Sequence, residues 1–328
     1  MVEKTLIITD KQIKEYISVE DAISLVEQTW RWYSEGKIIM PSKVTTNMET
    51  AGVYGWFNSM PSYIAPLNVA GVKIVGGYSN NLKRGMPYIK ANMLLTDPDS
   101  GFLRAVMCGD WISNYRTGAQ PAIAAKYLAS KTDVVTIIGA GLQGFHCLDC
   151  MSRILNIKEV RVCDINVEAR ERFIARFPNA PFKLISCDSN EEGCYGADVV
   201  ITITSACAVL VEEPWIKAGG LVMTMGSYTE ISEELSLKSD KLFVDQIAQG
   251  LHRGNFKEMT EKGLINEKSF AAELPDVVTG KAGGRDNDEQ RIVAAIVGMG
   301  CLDLAIATEV YNRIVASKDN VVSVNMLD

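Results

Sequence analysis

The feature that most constrains this chain lies in residues 133–164. A β-branched run, Val134-Val135-Thr136-Ile137-Ile138, leads into Gly139-Ala140-Gly141-Leu142-Gln143-Gly144. An apolar pattern of helical period follows, then a second short strand pattern that closes on Asp164. Strand, glycine turn, helix, strand and an acid about 20 residues past the last glycine is the order a dinucleotide-binding βαβ unit requires. Gly139 permits a sharp turn, Gly141 lets backbone approach a pyrophosphate, and Gly144 lets helix and strand pack closely. The pyrophosphate then rests on the positive end of the helix, with Ala140, Leu142 and Gln143 completing the cradle. The alternative is a purely structural glycine-rich turn, which the flanking elements and the spaced acid argue against. Asp164 favours NAD(H), because a carboxylate accepts ribose hydroxyls and repels the 2′-phosphate of NADP. Arg161 and Arg170, close by in sequence, would soften that repulsion.

Downstream the pattern keeps a βαβ rhythm. Residues 118–130 read as an Ala-rich helix. Strands are expected at 134–138, 159–164, 182–187, 198–204 and 221–225, with helices at 143–155 and 167–177 between them, the alternation of an open parallel sheet. The near-continuous β-branched run at 198–204 suits a central strand covered on both faces. Thr202, Thr204 and Ser205 then fall at a strand's carboxyl end, where such sheets bind ligands. They are candidates for the cofactor riboses, with a plain buried strand as the alternative. Residues 292–314 read as one long apolar helix interrupted by Gly298 and Gly300. Residues 1–116 read as mixed α/β. A helix is expected over 18–35, with Ser18 as N-cap and Asp21 three residues on. Short strands follow near 53–57, 71–75, 90–96 and 102–108. The turn residues Asp97-Pro98-Asp99-Ser100-Gly101 join the last two as a hairpin.

Composition narrows the class. At 47% hydrophobic content, 328 residues supply a substantial core and two domains. A net charge of −7 without a block of lysine or arginine points away from nucleic acid. No apolar stretch reaches the ~18 residues a membrane span needs. The first residues lack a secretory pattern, and the 8 cysteines form no framework, so a reducing cytoplasm is expected. Cys147 and Cys150 make a CxxC on the helix after the glycine turn, where packing is the expected role. Two histidines, His146 and His252, without a spaced acid cluster give no metal signature. Trp56, Phe57, Met60 and Tyr78 suit either a pocket wall or the core.

Other segments resemble the ornithine cyclodeaminase/mu-crystallin family. They are Gly71-Val72-Lys73 with Asn80-Asn81, the 96–101 turn, Tyr115-Arg116-Thr117-Gly118-Ala119, the glycine turn itself, residues 222–227 with Glu234-Leu235, and Gly300 with Asp303. Arg116-Thr117-Gly118-Ala119 is the most specific of these. The resemblance implies a Rossmann-type doubly wound parallel sheet, residues 118–300, inserted into a mixed α/β substrate-binding and dimerisation domain, residues 1–117 with 301–328. It implies a homodimer that moves a hydride between nicotinamide and the Cα of an amino acid or cyclic imine. It also implies that Lys73 is the active-site lysine and that Arg116 holds substrate carboxylate near the nicotinamide, with Thr117, Gly226 and Ser227 at the cofactor.

Two positions depart from the family. Lys43 stands where many members carry a carboxylate-binding arginine, and an ammonium is a point charge where a guanidinium is a planar fork. Tyr228 stands where cyclodeaminases carry an aspartate, two residues past Gly226. A phenol ionises near pH 10 and is no simple base at neutral pH. Tyr228 is therefore expected to donate a hydrogen bond or to wall the pocket, and Glu230 or Glu233 would be the replacement acid if the loop runs differently. Chemically, Lys73 is the candidate general acid/base, with a solvated strand-edge lysine as the alternative. Arg116 is the candidate carboxylate clamp, with a helix-start arginine in a structural ion pair as the alternative. The expected activity is NAD(H)-dependent oxidation of a small L-amino acid, or reduction of the matching imine. The rivals are an ornithine or lysine cyclodeaminase and a non-catalytic, crystallin-like nucleotide-binding protein.

Overall fold

Ser18 opens the first long helix, Val19–Ser34, through a capping box: its hydroxyl accepts the Asp21 amide while the Asp21 carboxylate accepts the Ser18 amide. Such a cap is worth about 1 kcal/mol. The helix buries Ala22, Ile23, Val26 and Trp30, the last with no exposed surface, which adds roughly 1.5–3 kcal/mol per large side chain. The computed structural model describes residues 4–317 and 319–326. They divide into two units, one running to Arg116 and resuming at Met299, the other spanning Thr117–Gly298.

The first unit is built on a mostly antiparallel sheet. Its strand order is Ser323–Val324, Thr5–Ile8, Leu103–Cys108, Ile89–Thr96, Val69–Tyr78, Gly55–Ile64 and Ile38–Ile39, with Val44–Asn47 also on Gly55–Ile64. Among the described residues of this sheet only Thr5–Ile8 and Leu103–Cys108 pair in parallel. The expected hairpin at 96–101 is present, closed by the Asp97 carboxylate, which accepts the Asp99 and Ser100 amides. Helix Gly300–Ser317 packs on Val19–Ser34 and on the strands Gly55–Ile64, Val69–Tyr78 and Ile89–Thr96. It can lie this close because Gly71 has no side chain: a methyl group there would stand 3.2 Å from Leu304 and collide with the Leu94 carbonyl.

The second unit carries a Rossmann-type parallel sheet. Its order is Lys183–Cys187, Glu159–Cys163, Val134–Ile138, Val199–Thr202, Leu221–Thr224, Ile292–Ala295, Lys241–Val244 and Phe270–Glu273. The chain turns first to one side of Val134–Ile138 and then to the other. The switch point therefore falls between the carboxyl ends of Val134–Ile138 and Val199–Thr202, where such sheets place ligands.

Two expectations change. Residues 292–314 are not one helix. Ile292–Ala295 is a fully buried strand between Leu221–Thr224 and Lys241–Val244, and the helix begins only at Gly300. A continuous apolar run has no period with which to tell a buried strand from a buried helix. The Ala-rich helix starts well before residue 118, because Asp110–Leu128 is unbroken; Arg116 lies in its interior and not at its start.

Candidate active site

In the second unit, Gly139 adopts φ +117, a conformation side chains rarely take, and a Cβ there would strike the Ile203 carbonyl. A Cβ on Gly144 would strike the Gly139 carbonyl. Gly141, by contrast, has nothing within 4 Å of where its Cβ would stand. This is the open approach that a pyrophosphate over the amino end of helix Leu142–Ile154 requires. A cleft of about 370 Å³ borders the loop, lined by Ala140, Gly141, Leu142, Arg172 and Arg176 among others. Leu142 is half-exposed and Gln143 half-buried. Asp164 follows strand Glu159–Cys163 directly; its carboxylate accepts the Ala140 amide at 2.9 Å and the Asn166 amide at 2.9 Å, tying the acid to the glycine turn. Arg161 bonds to Glu159 and to the Gly193 and Tyr195 carbonyls, and Arg170 bonds to Asp188. The residues present therefore fit a dinucleotide.

Gly118 has a packing reason: a side chain there would collide with the His146 carbonyl in the helix that follows the glycine turn. Thr117 precedes it, half-buried. Thr202 is fully buried, its hydroxyl donating to Glu230 at 2.8 Å, which fits the plain-strand alternative for that side chain. Thr204 also bonds to Glu230, while Ser205 is exposed. Gly226 is half-buried, Ser227 is exposed and Tyr228 is 49% exposed. Glu230 is not available as a replacement base: it is completely buried and accepts from Thr202, Thr204 and Gly226. Glu233 pairs with Lys262. His146 is buried, and burial together with the Arg176 charge holds it down at about 4. His252 is exposed. Cys147 and Cys150 are both buried in the helix, and burial pushes the Cys147 thiol up to about 12, as packing residues require.

In the first unit, Lys73 lies in the middle of strand Val69–Tyr78 with no exposed surface, so the strand-edge alternative is ruled out. Its ammonium donates to Asp303 Oδ1 at 2.9 Å and to Ser113 Oγ at 3.0 Å. Arg116 Nε lies 3.2 Å from the same carboxylate. Ser113 and Arg116 are one turn apart on Asp110–Leu128, so one helix face presents both. Burial first, then the Arg116 charge, pulls Lys73 down from 10.5 to about 7; Asp303 opposes the shift and Lys43 adds to it. Lys43 itself is half-buried just before strand Val44–Asn47. Among the candidate pocket residues, Met60 is core, while Trp56, Phe57 and Tyr78 are half-buried. Asn80 and Asn81 sit in the 3₁₀ turn Ser79–Arg84, where Asn81 donates to the Pro87 carbonyl.

Ser113 is a functional candidate that the sequence did not single out, and Asp303 stood in the family resemblance with no role assigned to it. The signal for Asp303 was an acid in the first turn of an otherwise apolar helix pattern. Among the described residues no helix is long and apolar enough to cross a membrane, and no group of three His, Cys, Asp or Glu gathers as a metal site.

A doubly wound dinucleotide-type sheet and a buried lysine–carboxylate–arginine cluster together describe an oxidoreductase-like architecture. The profile of the ornithine cyclodeaminase/mu-crystallin family matches residues 3–318, and the chain belongs to that family. It is 32% identical over 314 residues to an alanine dehydrogenase of Archaeoglobus fulgidus, covering 94% of this chain and 95% of the relative. An archaeal alanine dehydrogenase dimer solved with bound NAD superposes with a TM-score of 0.92 at 30% identity, covering 99% and 100% of the two chains. The Δ1-pyrroline-2-carboxylate reductase of Thermococcus litoralis, solved with NADH and L-proline, gives 0.90 at 29% identity, covering 98% and 100%.

Proposed function

We propose that this protein is an NAD(H)-dependent oxidoreductase acting on the Cα–N bond of a small L-amino acid or the matching, including cyclic, imine. The observation that carries the reading is the fully buried Lys73, held against Asp303 and Ser113 with its ammonium brought down to about 7. A general acid/base works best when its pKa lies near the working pH. The family and the relatives named above support the reaction class. In the proposed arrangement the second unit binds the dinucleotide through residues 139–144, Asp164, Thr117, Thr204, Ser205, Gly226 and Ser227. The first unit binds substrate and forms a homodimer, in line with the dimeric alanine dehydrogenase relative. The expected setting is cytoplasmic.

Bound NAD(H) supplies or accepts the hydride. The chain's own residues handle charge and proton. Arg116 and Lys43 hold the substrate carboxylate, each charged hydrogen bond contributing about 1.5–3 kcal/mol. In oxidation, neutral Lys73 takes a proton from the substrate ammonium and leaves the amine that chemistry needs. In reduction, protonated Lys73 returns it to the imine nitrogen, so that proton and hydride together complete the amine. Asp303 keeps the lysine from losing its proton altogether, and Tyr228 donates a hydrogen bond where cyclodeaminases place an acid. An NADH absorbance screen over L-amino acids and cyclic imines, with ammonia measured in the same wells, tests the reading. Net NADH change with one substrate class is expected. Ammonia and proline from ornithine without net NADH change would establish the cyclodeaminase reaction instead.

A further inference from the structure

Glu230 forms a cluster that the proposed reaction does not use. It has no exposed surface, and no lysine or arginine among the described residues pairs with it. Four donors converge on its carboxylate. Oε2 accepts the Thr202 hydroxyl at 2.8 Å and the Gly226 amide at 2.8 Å; Oε1 accepts the Thr204 amide at 3.0 Å and the Thr204 hydroxyl at 3.1 Å. Its own amide and that of Ile231 are fixed in turn by the Asn255 side chain, at 2.9 and 3.1 Å.

These donors come from the carboxyl ends of two neighbouring strands, Val199–Thr202 and Leu221–Thr224, paired in register at Thr202 and Thr224. The carboxylate therefore ties together two loops that leave the sheet beside the switch point. One loop carries Ile203, whose carbonyl backs the left-handed turn at Gly139. The other begins with Gly226 and leads to Ser227 and Tyr228. The glycine at 226 has its reason here as well: a Cβ would stand 2.5 Å from Oε1 and 2.6 Å from Oε2 of Glu230. A buried carboxylate is held here by backbone amides and hydroxyls in place of a cation, so its geometry is set by the loops and it sets theirs.

We infer that Glu230 is a positioning residue for the cofactor, a buried tie that fixes the 203–205 and 226–228 loops in the shape the dinucleotide meets. The inference rests on the NAD(H) reading above. It does not touch the cofactor itself, so removing the tie loosens binding while leaving the proton chemistry at Lys73 alone.

The test is NADH fluorescence titration of the full chain and of E230Q, E230D and G226A, with circular dichroism and thermal melts on each to confirm the folded fraction. Glu230→Gln keeps the shape, but its NH₂ faces a backbone N–H that also donates. NADH dissociation constants about 10-fold or more above wild type are expected for E230Q and G226A, and for E230Q kcat at saturating cofactor is expected to stay within about threefold. Glu230→Asp retracts the carboxylate and makes room for a methyl at 226, so G226A is expected to weaken NADH binding less in the E230D background than alone. Lowered melting temperature with unchanged NADH affinity in the folded fraction would reduce Glu230 to a purely structural group and overturn the inference. Strictly additive effects of G226A and E230D would do the same. If wild type itself leaves NADH fluorescence unchanged, the cofactor reading fails and this inference falls with it.

Discussion

The two units satisfy the carboxylates of their candidate sites in opposite ways. In the first, Asp303 is satisfied by cations, the Lys73 ammonium and the Arg116 guanidinium, in the middle of a sheet-and-helix core. In the second, the carboxylates that follow the carboxyl ends of the parallel strands are satisfied largely by backbone amides. Asp164 takes those of Ala140 and Asn166, Glu230 those of Thr204 and Gly226, and Asp245 those of Gln246, Val297 and Gly298. A carboxylate paired with titratable cations tunes protons, since each charge shifts the other's ionisation. A carboxylate paired with amides tunes shape, since its partners cannot titrate and are part of the loops themselves. The proposed division of labour, proton transfer in one unit and cofactor holding in the other, follows this difference in chemistry.

The largest effect that could break the contrast is at Lys73. Lys73→Met is expected to lower kcat about 100-fold or more while leaving NADH affinity unchanged, which steady-state kinetics and fluorescence titration separate. Activity within tenfold of wild type would remove Lys73 from the chemistry. The same variant sharpens the thermodynamics. A lysine whose folded-state ionisation falls to about 7, below the usual 10.5, contributes stability that is present above 10.5 and lost as pH falls through about 7. Denaturant melts of wild type should therefore gain stability, relative to Lys73→Met, as pH rises across that window.

Asp303→Asn comes next. Removing the one charge that raises Lys73 is expected to move the inflection of kcat/KM to lower pH, and to destabilise the fold by about 3–5 kcal/mol because two cations lose their buried partner. An unmoved inflection would mean that Asp303 is only structural. In the second unit the paired variants Gly141→Ala and Gly139→Ala should part company. The first has open space for its methyl and is expected to fold normally yet bind NADH about tenfold more weakly. The second is expected to destabilise by roughly 1–3 kcal/mol through its left-handed backbone. Equal melting temperatures for the two would contradict the geometry. The smallest effect is expected at Asp164: Asp164→Asn should narrow the preference for NADH over NADPH severalfold, read from the ratio of kcat/KM values.

How much of this could be read from the residues follows the same divide. The glycine turn was legible because special backbone conformations demand special residues, and those residues stand next to one another. The capping box at Ser18 and the hairpin turn at Asp97 were legible for the same local reason. Lys73 and Asp303 are 230 positions apart, and no local pattern joins them. Burial, which turns an ordinary lysine into one that ionises near neutrality, is a property of the assembled sheet. Glu230 invited a reading as a stand-in base because its type and position allowed one, and only its four hydrogen-bond donors exclude it. The strand Ile292–Ala295 was hidden inside an unbroken apolar run, since burial on both faces erases the alternation that marks a half-covered strand.

The late position of Ile292–Ala295 bears on how the chain is made. That strand sits inside the parallel sheet, between two strands translated earlier, and helix Gly300–Ser317 lies across three strands of the other sheet. A growing polypeptide therefore leaves the ribosome with a gap in one sheet and an uncovered face on the other until these two elements emerge. A stalled or nicked chain lacking them exposes unpaired strand edges in one unit and a bare apolar sheet face in the other.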